Sequence, residues 1–535
     1  MTPFKKIFLK IIILVLAPQA FAQSVPPHIE WAKCFGGTDE DQALCIEKTS
    51  DKGFITAGES YSVDGDVNGH HDTANYNEDF WIVKIDSIGN LQWEKSLGGD
   101  SDEIAYNIKQ TPDGGYIVAG SSNSFNGDVT VNHGRKDYWI VRLDANGKII
   151  WQKSFGGSDD DEAYSIDLTS DGGYIAAGFS FSIDRDTIKR DSTGLSDYWV
   201  VKMDKDGNLE WEKSYGGSAS DIAWGIRQTK DNGYFVTGYS ESQDGEVTGN
   251  HGKDDYWIIK IDSIGNLKWE KSYGGSSTDW AYSSDLTKDG GLVVVGLTFS
   301  VDGDVSGNHG QYDFWVIKID STGKLAWQKS LGGSNGDAAN SVKQTSDGGY
   351  IIVGNTLSND GDVSLNHDPN GSTLDYWVVK LDSLGNLEWQ KTLGGTSDDY
   401  GECIRQISDS SFIVAGSTES DDGDVIGHNF QTDYWIVKLG YAPKDEVAFS
   451  GKLPNRSFNY PNPFTEKTTI IFAQPINSNS TLFLYNLLGE QMQKVIIPIG
   501  SENVLIDRRG LSSGVYVYRV MSEGIMILSG DIIVK

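Results

Sequence analysis

The sequence is poor in cysteine, proline and positive charge, and each shortage excludes a class of protein. Three Cys in 535 residues cannot build a disulfide scaffold. The chain has 44 Lys and Arg against 76 Asp and Glu, so it carries a formal charge of −32 and no basic stripe for nucleic acid. Because 38% of the residues are hydrophobic, the chain is too apolar for a disordered acidic polymer. The 63 Gly beside 12 Pro indicate many tight turns.

Long hydrophobic runs are also missing, so we expect no transmembrane segment. The longest apolar run, residues 11–16, is far shorter than the ~20 residues that a spanning helix needs. It follows three Lys and precedes Ala20-Phe21-Ala22, which is the order of a secretory signal peptide. Residues 1–22 are therefore predicted to be a signal peptide that is cleaved before Gln23.

The last part of the chain differs in composition from the rest. Residues 457–535 hold equal numbers of acidic and basic side chains, whereas the negative excess lies before them. This step in charge, across a linker at residues 441–456, predicts a domain boundary. Apolar runs separated by Gly, Pro and Asn indicate a small β-sandwich-like domain over residues 457–535.

Three motifs punctuate this terminal domain in a fixed order. Their residues are Tyr460, Pro461, Asn462, Pro463, Phe464, Gly489, Gly514, Tyr516 and the terminal Lys535. Together they resemble the C-terminal sorting domain (type A) of the type IX secretion system of the Bacteroidota. The resemblance implies a cargo that the signal peptide exports to the periplasm and that the type IX machinery then carries across the outer membrane. The expected location is the extracellular space or the outer-membrane surface.

The middle of the chain is a sevenfold repeat. Trp-x-Lys-x-x-Gly-Gly and Asp-(Tyr/Phe)-Trp each occur seven times and together use fourteen of the sixteen Trp. Each unit of about 60 residues carries four strand signals joined by hairpin turns, which is typical of a propeller blade. The fold class is therefore predicted as all-β, with a seven-bladed β-propeller over residues 28–440. The repeat resembles the propeller arrays of secreted bacterial proteins.

The phase of the repeat predicts how the ring closes. The array begins with a lone fourth-type strand near Trp31 and ends after a third-type strand near Trp435. The N-terminal strand can therefore complete the seventh blade and leave no open edge.

Two series of acids recur on one face of the predicted propeller, where the fourth-to-first and the long second-to-third strand connections meet. We call it the loop face; one series precedes the innermost strands and the other lies in the long loops. The first series precedes each innermost strand and is expected to ring the mouth of the central channel: Asp41, Glu103, Asp161, Asp221, Asp279, Asp337 and Asp399. It would either attract cations or cap its own loops, and repetition in every blade favours capping. The best Ca²⁺ candidates, in the long loops, are Asp64, Asp66, Asp302 and Asp304.

Seven of the eight His also follow the long loops, one or two in each blade except the third. Because separate blades hold them, we interpret them as loop-packing residues rather than zinc ligands. No catalytic or cofactor-binding residues are predicted, since no nucleophile elbow, zinc motif or phosphate loop occurs.

The sequence thus favours a monomeric, non-enzymatic propeller that binds carbohydrate or protein or has a structural role. The alternative is a polysaccharide-active hydrolase, because acidic residues suitable for glycoside cleavage are abundant. Cys45 and Cys403 share one register in blades one and seven, which meet on ring closure, and Cys34 lies on the closing strand. Since inner strands of adjacent blades usually diverge beyond disulfide distance, we expect three free, largely buried thiols.

Overall fold

A computed structural model of the chain describes residues 26–71, 77–183, 195–368, 370–428, 431–441, 458–460, 462–464, 466–472, 474–486, 490–522 and 525–535. The predicted signal peptide lies outside these residues, and so does nearly all of the predicted linker. The chain divides into two compact units, residues 1–442 and 443–535. The described part contains no helix long and apolar enough to cross a membrane.

The first unit consists of seven antiparallel four-stranded sheets, each of which forms one blade. The innermost strands are β2 (Asp41–Lys48), β6 (Glu103–Gln110), β10 (Asp161–Leu168), β14 (Asp221–Gln228), β18 (Asp279–Leu286), β22 (Asp337–Gln344) and β26 (Asp399–Ser408). The second strands are β3 (Phe54–Ser60), β7 (Tyr116–Ser122), β11 (Tyr174–Ser180), β15 (Tyr234–Ser240), β19 (Leu292–Thr298), β23 (Tyr350–Thr356) and β27 (Ser411–Thr418).

The outer half of each blade follows the same order. The third strands are β4 (Asp79–Ile85), β8 (Asp137–Leu143), β12 (Asp197–Met203), β16 (Asp255–Ile261), β20 (Asp313–Ile319), β24 (Asp375–Leu381) and β28 (Asp433–Gly440). The outermost strands are β1 (His28–Phe35), β5 (Leu91–Leu97), β9 (Ile149–Phe155), β13 (Leu209–Tyr215), β17 (Leu267–Tyr273), β21 (Leu325–Leu331) and β25 (Leu387–Leu393).

Burial explains why the middle strands read as continuous apolar runs. In β16, every residue from Asp255 to Ile261 is buried, because neighbouring blades cover both faces of the sheet. The outermost strand β17 of the same blade is mostly half-buried or exposed, and it carries Lys and Glu between its apolar residues.

The ring closes through its N-terminal strand, as the phase of the repeat predicts. Strand β1 pairs antiparallel with β28, with Cys34 opposite Trp435, and completes the sheet of β26, β27 and β28. The Tyr434 hydroxyl of this blade donates to the Trp81 carbonyl of blade one at 2.8 Å. The same contact joins successive blades elsewhere, as from Tyr198 to Trp257, so the seam repeats an ordinary inter-blade joint.

The second unit is a two-sheet β-domain, which confirms the predicted fold class. One sheet has the order β29 (Phe458–Tyr460), β30 (Lys467–Ile471) and β33 (Asn503–Asp507). The other has the order β32 (Gln491–Ile497), β31 (Ser480–Asn486), β34 (Gly514–Ser522) and β35 (Ile525–Val534).

The first sorting motif meets the end of the chain in this domain. The Ile533 amide donates to the Asn462 side-chain oxygen at 2.6 Å, and the Lys535 amide donates to the Phe464 carbonyl at 2.9 Å. Phe464 and Tyr516 are buried in the domain core. Pro461 and Gly489 of the motif set lie outside the described residues. The terminal motifs therefore form one structural unit.

Candidate functional site

The recurring acids at the start of the innermost strands lie inside the blades rather than on an open channel mouth. All seven are fully buried. Asp279 accepts hydrogen bonds from the Gly275 amide and from the Ser300 hydroxyl, both at 2.8 Å. A Cβ on Gly274 would come within 2.5 Å of Asp255 Oδ1 and 2.7 Å of Asp279 Oδ2. The Gly-Gly turn thus leaves room for two buried carboxyl groups, and the structure gives the acids a capping position.

Burial also changes how these acids titrate. It raises the pKa of Asp41, Glu103 and Asp399 to about 7, although hydrogen bonds from their own loops oppose the shift. It raises the pKa of Asp279 and Asp337 to about 6. A buried carboxyl that is partly protonated near neutral pH is a weak source of negative potential.

The candidate calcium residues occupy two loops of the loop face. Asp64 Oδ1 accepts from the Thr38 amide at 2.8 Å, and Asp302 Oδ1 accepts from the Ser276 amide at 2.7 Å. The backbone amides of Asp66 and Asp304 donate to the preceding Gly-Gly turns. Over the described ranges, no three His, Cys, Asp or Glu side chains are grouped so that they could hold a metal. Calcium binding therefore stays a prediction without a ligand set.

Five of the seven loop His side chains contact the first residue of the third strand of their own blade: His71, His133, His251, His309 and His367. His251 Nδ1 lies 2.7 Å from Asp255 Oδ2, and His309 makes the same contact with Asp313 at 2.7 Å. Each of these Asp residues is the first residue of its strand and is buried. These contacts anchor the long loops to the blades, which is a packing role.

The central channel is lined by residues of the innermost strands, among them one bulge residue from each blade. A β-bulge interrupts the pairing three residues after each starting acid. Bulges redirect a side chain away from the regular alternation. The bulge residues are Leu44, Tyr106, Tyr164, Trp224, Tyr282, Asn340 and Glu402, and all seven line a cavity of about 440 Å³.

Four bulge residues in consecutive blades form an aromatic wall: Tyr106, Tyr164, Trp224 and Tyr282. The rings of Tyr164 and Trp224 are stacked, with centroids 4.2 Å apart and planes at 10°. Tyr106 packs edge-on against Tyr164 at 4.6 Å, and Tyr282 packs edge-on against Trp224 at 5.3 Å. The opposite side of the channel is polar, with Asn340 and Glu402, so the cavity is asymmetric within a symmetric ring.

Deeper in the channel, three residues beyond the bulge, lies a charged belt. Its members are Glu47, Lys109, Asp167, Arg227, Asp285, Lys343 and Arg405. Glu47 contacts Lys109 at 2.5 Å and Arg405 at 3.0 Å, and Lys343 contacts Asp285 at 2.8 Å. Burial would raise the pKa of Glu47, but Arg405 and Lys109 hold it well below its usual value. These ion pairs join adjacent blades around the channel, including blades seven and one.

The cysteines occupy the same seam. Cys45 and Cys403 directly follow the bulge residues of blades one and seven, and their Sγ atoms lie 3.9 Å apart. Both are buried, Cys34 is half-buried, and all three are thiols. The two sulfurs are therefore in contact across the seam without a disulfide bond, and the three thiols are free as expected.

The channel site was not predicted from the sequence, because the prediction used residues that all seven blades share. The sequence does contain a signal for this site. The residue at the bulge position differs between blades, and a charged residue follows it three positions later. Aligning the seven strands on their starting acids shows both positions.

Comparison with known proteins identifies the terminal domain. Residues 459–535 match the family described as "Secretion system C-terminal sorting domain". This match confirms the type IX sorting domain and makes the chain a secreted cargo. The match agrees with the prediction from the sorting motifs.

The propeller has distant relatives. The regulatory protein FlaEY of Caulobacter vibrioides is 21% identical over 392 residues, which cover 63% of this chain and 39% of FlaEY. An uncharacterized WD repeat-containing protein of Acanthamoeba polyphaga mimivirus is 21% identical over 369 residues, covering 53% of this chain and 26% of that protein. The chain thus spans well under half the length of both relatives.

Solved structures with similar folds share little sequence with this chain. The Neurospora crassa Pan2 WD40 domain has a TM-score of 0.42 at 11% identity and covers 76% of this chain and 91% of its own. Puromycin hydrolase has a TM-score of 0.43 at 10% identity and covers 83% of this chain and 60% of its own. The propeller assignment rests on the seven sheets and their closure.

Proposed function

We propose that this type IX cargo carries a non-enzymatic propeller, which binds a carbohydrate or protein ligand outside the cell or on its surface. The observation that carries the proposal is the contrast between repeated acids and varied channel residues. The acids that every blade shares are buried and hydrogen-bonded within their own blades. The residues that face the cavity differ from blade to blade, as expected of a ligand site.

The loop face supports the same proposal, because it exposes apolar side chains. At one position of the long loops, four blades carry exposed apolar residues: Val63, Phe125, Ile183 and Val301. Phe125 is 69% exposed and Val301 is 75% exposed. The other three blades have Gln, Asn and Asp at this position. A face that is apolar on some blades and polar on others suits recognition better than blade packing.

Delivery is tested by removing the sorting domain. We expect a variant lacking residues 457–535 to accumulate in the periplasm, because the type IX machinery recognises this domain. A variant lacking only residues 443–456 keeps the domain and serves as the control. Cell fractionation measures both variants, and unchanged surface delivery of the first would overturn the delivery part of the proposal.

Binding without turnover is tested with the purified mature chain and a glycan panel. We expect a ligand to be retained while no reducing sugar is released. Sugar release would instead support the polysaccharide-active hydrolase that remains the second candidate.

One observation favours that second candidate. Glu402 lines the cavity, and burial raises its pKa to about 7, which suits a general acid at neutral pH. Glycoside hydrolysis needs a second carboxyl group facing the first across the bond that is cleaved. Among the described residues that line the cavity, Glu402 is the only acid. A binding role therefore fits the channel better than hydrolysis.

A further inference from the structure

The bulge position departs from the symmetry of the propeller, unlike the residue directly before it. One residue before it, six blades have Ala and one has Gly, all closely packed. The bulge position itself holds Leu, Tyr, Tyr, Trp, Tyr, Asn and Glu in order around the ring. Since Leu44 satisfies the fold in blade one, the aromatic residues are not required to build a blade. Their placement calls for a role inside the cavity.

We infer that the channel binds one neutral sugar unit of a glycan, between the aromatic wall and the pair Asn340 and Glu402. This inference rests on the proposed binding function and names its ligand class and its site. The cavity volume of about 440 Å³ falls within the range of small-molecule sites. The C–H groups of a sugar ring pack against aromatic side chains, while its hydroxyls need hydrogen-bond partners.

The cavity offers such partners. Trp224 Nε1 and Asn107 Oδ1 are buried and have no hydrogen-bond partner within the described chain. Both residues line the cavity, together with Asn340 and Glu402. One N–H donor, one amide oxygen and a carboxyl group lie beside an aromatic wall. Because an unpaired buried polar atom is costly, a ligand with several hydroxyls would gain by pairing these groups.

The charges of the channel favour a neutral ligand over an ionic one. At the base of the cavity, Lys343 is paired with Asp285 and Arg405 with Glu47. Arg227 lies close enough to Asp285 to help lower the pKa of that carboxyl. Three cations of the belt line the cavity, Arg227, Lys343 and Arg405, and each therefore has an acid beside it. A charged sugar would have to compete with these pairs, whereas a neutral sugar leaves them intact.

The test uses the mature full-length chain and isothermal titration calorimetry. The neutral probes are cellohexaose, laminarihexaose, maltohexaose and xylohexaose, and the acidic probe is an oligogalacturonate. We expect at least one neutral probe to bind, and Trp224→Leu to weaken its binding about tenfold or more through the lost aromatic contact. Phe125→Ala removes an exposed aromatic from the loop face and distinguishes binding there from binding in the channel. The control, Ile264→Ala, removes an exposed apolar side chain from a hairpin turn and should leave the affinity unchanged. Leu is chosen because Leu44 occupies the same position in blade one.

The outcomes separate this inference from the proposed function. Binding that Phe125→Ala abolishes and Trp224→Leu leaves intact would move the site to the loop face and overturn the inference alone. Preference for the oligogalacturonate, or no binding of any probe, would overturn the neutral-sugar class alone. Release of reducing sugar from a bound probe would instead contradict the non-enzymatic function. A native-like unfolding transition of Trp224→Leu excludes misfolding as the cause of lost binding.

Discussion

Two positions of the same innermost strand behave in opposite ways. The starting residue is an acid in all seven blades, is fully buried and caps its own turn. The bulge residue three positions later lines the cavity and changes from blade to blade. Only about 10 Å of strand separates them. The repeated residue builds the blade, and the varied bulge residue lines the cavity.

The difference follows from what surrounds each side chain. The starting acid meets turn amides, a Gly-Gly step and the buried acid of the preceding blade, which are the same at every joint. The bulge residue meets a common cavity in which each blade holds a different sector. A sevenfold ring selects one orientation of an asymmetric ligand only if its symmetry is broken at such positions.

Opening the ring should have the largest effect, because every blade depends on closure for its packing. Deleting residues 28–35 removes β1 and leaves β28 as an exposed edge. We expect the unfolding midpoint to fall by roughly 10 °C or more, or cooperative folding to be lost. Circular dichroism during heating measures this, with deletion of residues 23–27 as the control. An unchanged midpoint would mean that the seam contributes little.

Removing one starting acid should have the next largest effect. In Asp279→Ala, the Gly275 amide and the Ser300 hydroxyl lose their acceptor inside the blade, which costs about 3 kcal/mol of unfolding free energy. Asp302→Ala, in an exposed loop of the same blade, should cost clearly less. Denaturant unfolding of both variants gives the comparison. Equal losses would contradict a special role for the repeated position.

Lowering the pH should stabilise the propeller. The native pKa values of about 6 and 7 for the starting acids exceed those of the unfolded chain, so the folded state binds more protons. Their stabilising contribution is complete below the unfolded pKa and is lost as the pH rises through 6 to 7. We expect the unfolding midpoint to rise by several degrees from pH 8 to pH 5, as scanning fluorimetry would show. A midpoint that falls over this range contradicts the buried, protonated acids.

In stronger acid, the dependence of the unfolding midpoint on pH should reverse. Hydrogen bonds from Thr229 and Lys260 lower the pKa of Asp231 to about 2, and this type of turn recurs in most blades. The stability that such a group contributes is present above the unfolded pKa and is lost as the pH falls towards 2. We therefore expect the midpoint to pass through a maximum near pH 4 to 5. A midpoint still rising below pH 3 would contradict it.

The smallest expected effect concerns the reactivity of the cysteine thiols. We expect three reactive thiols in denatured, unreduced protein, and no reaction of Cys45 or Cys403 in the folded protein, because both are buried. Thiol titration before and after denaturation measures this. One thiol in the denatured protein would mean that the 3.9 Å sulfur contact has become a disulfide across the seam.

The fold was predictable because its evidence is periodic. Fourteen Trp at fixed spacing set the number of blades, and the phase of the ends predicted closure by β1. The channel was not predictable in the same way. A β-bulge adds one unpaired residue and leaves no mark in composition or in the spacing of the repeats. Only the variation between blades at Trp224 and its equivalents points to the cavity. The acids were therefore expected at the channel mouth, although the structure places them inside the blades.

The most direct measurement replaces the whole aromatic wall and compares stability with binding. The variant combines Tyr106→Leu, Tyr164→Leu, Trp224→Leu and Tyr282→Leu, so that five blades carry the residue that Leu44 already places in blade one. We predict that its unfolding midpoint falls by less than that of the single variant Asp279→Ala, while calorimetry detects no binding of the neutral oligosaccharide. A larger fall than that of Asp279→Ala, or undiminished binding, would contradict the division between repeated scaffold and varied channel.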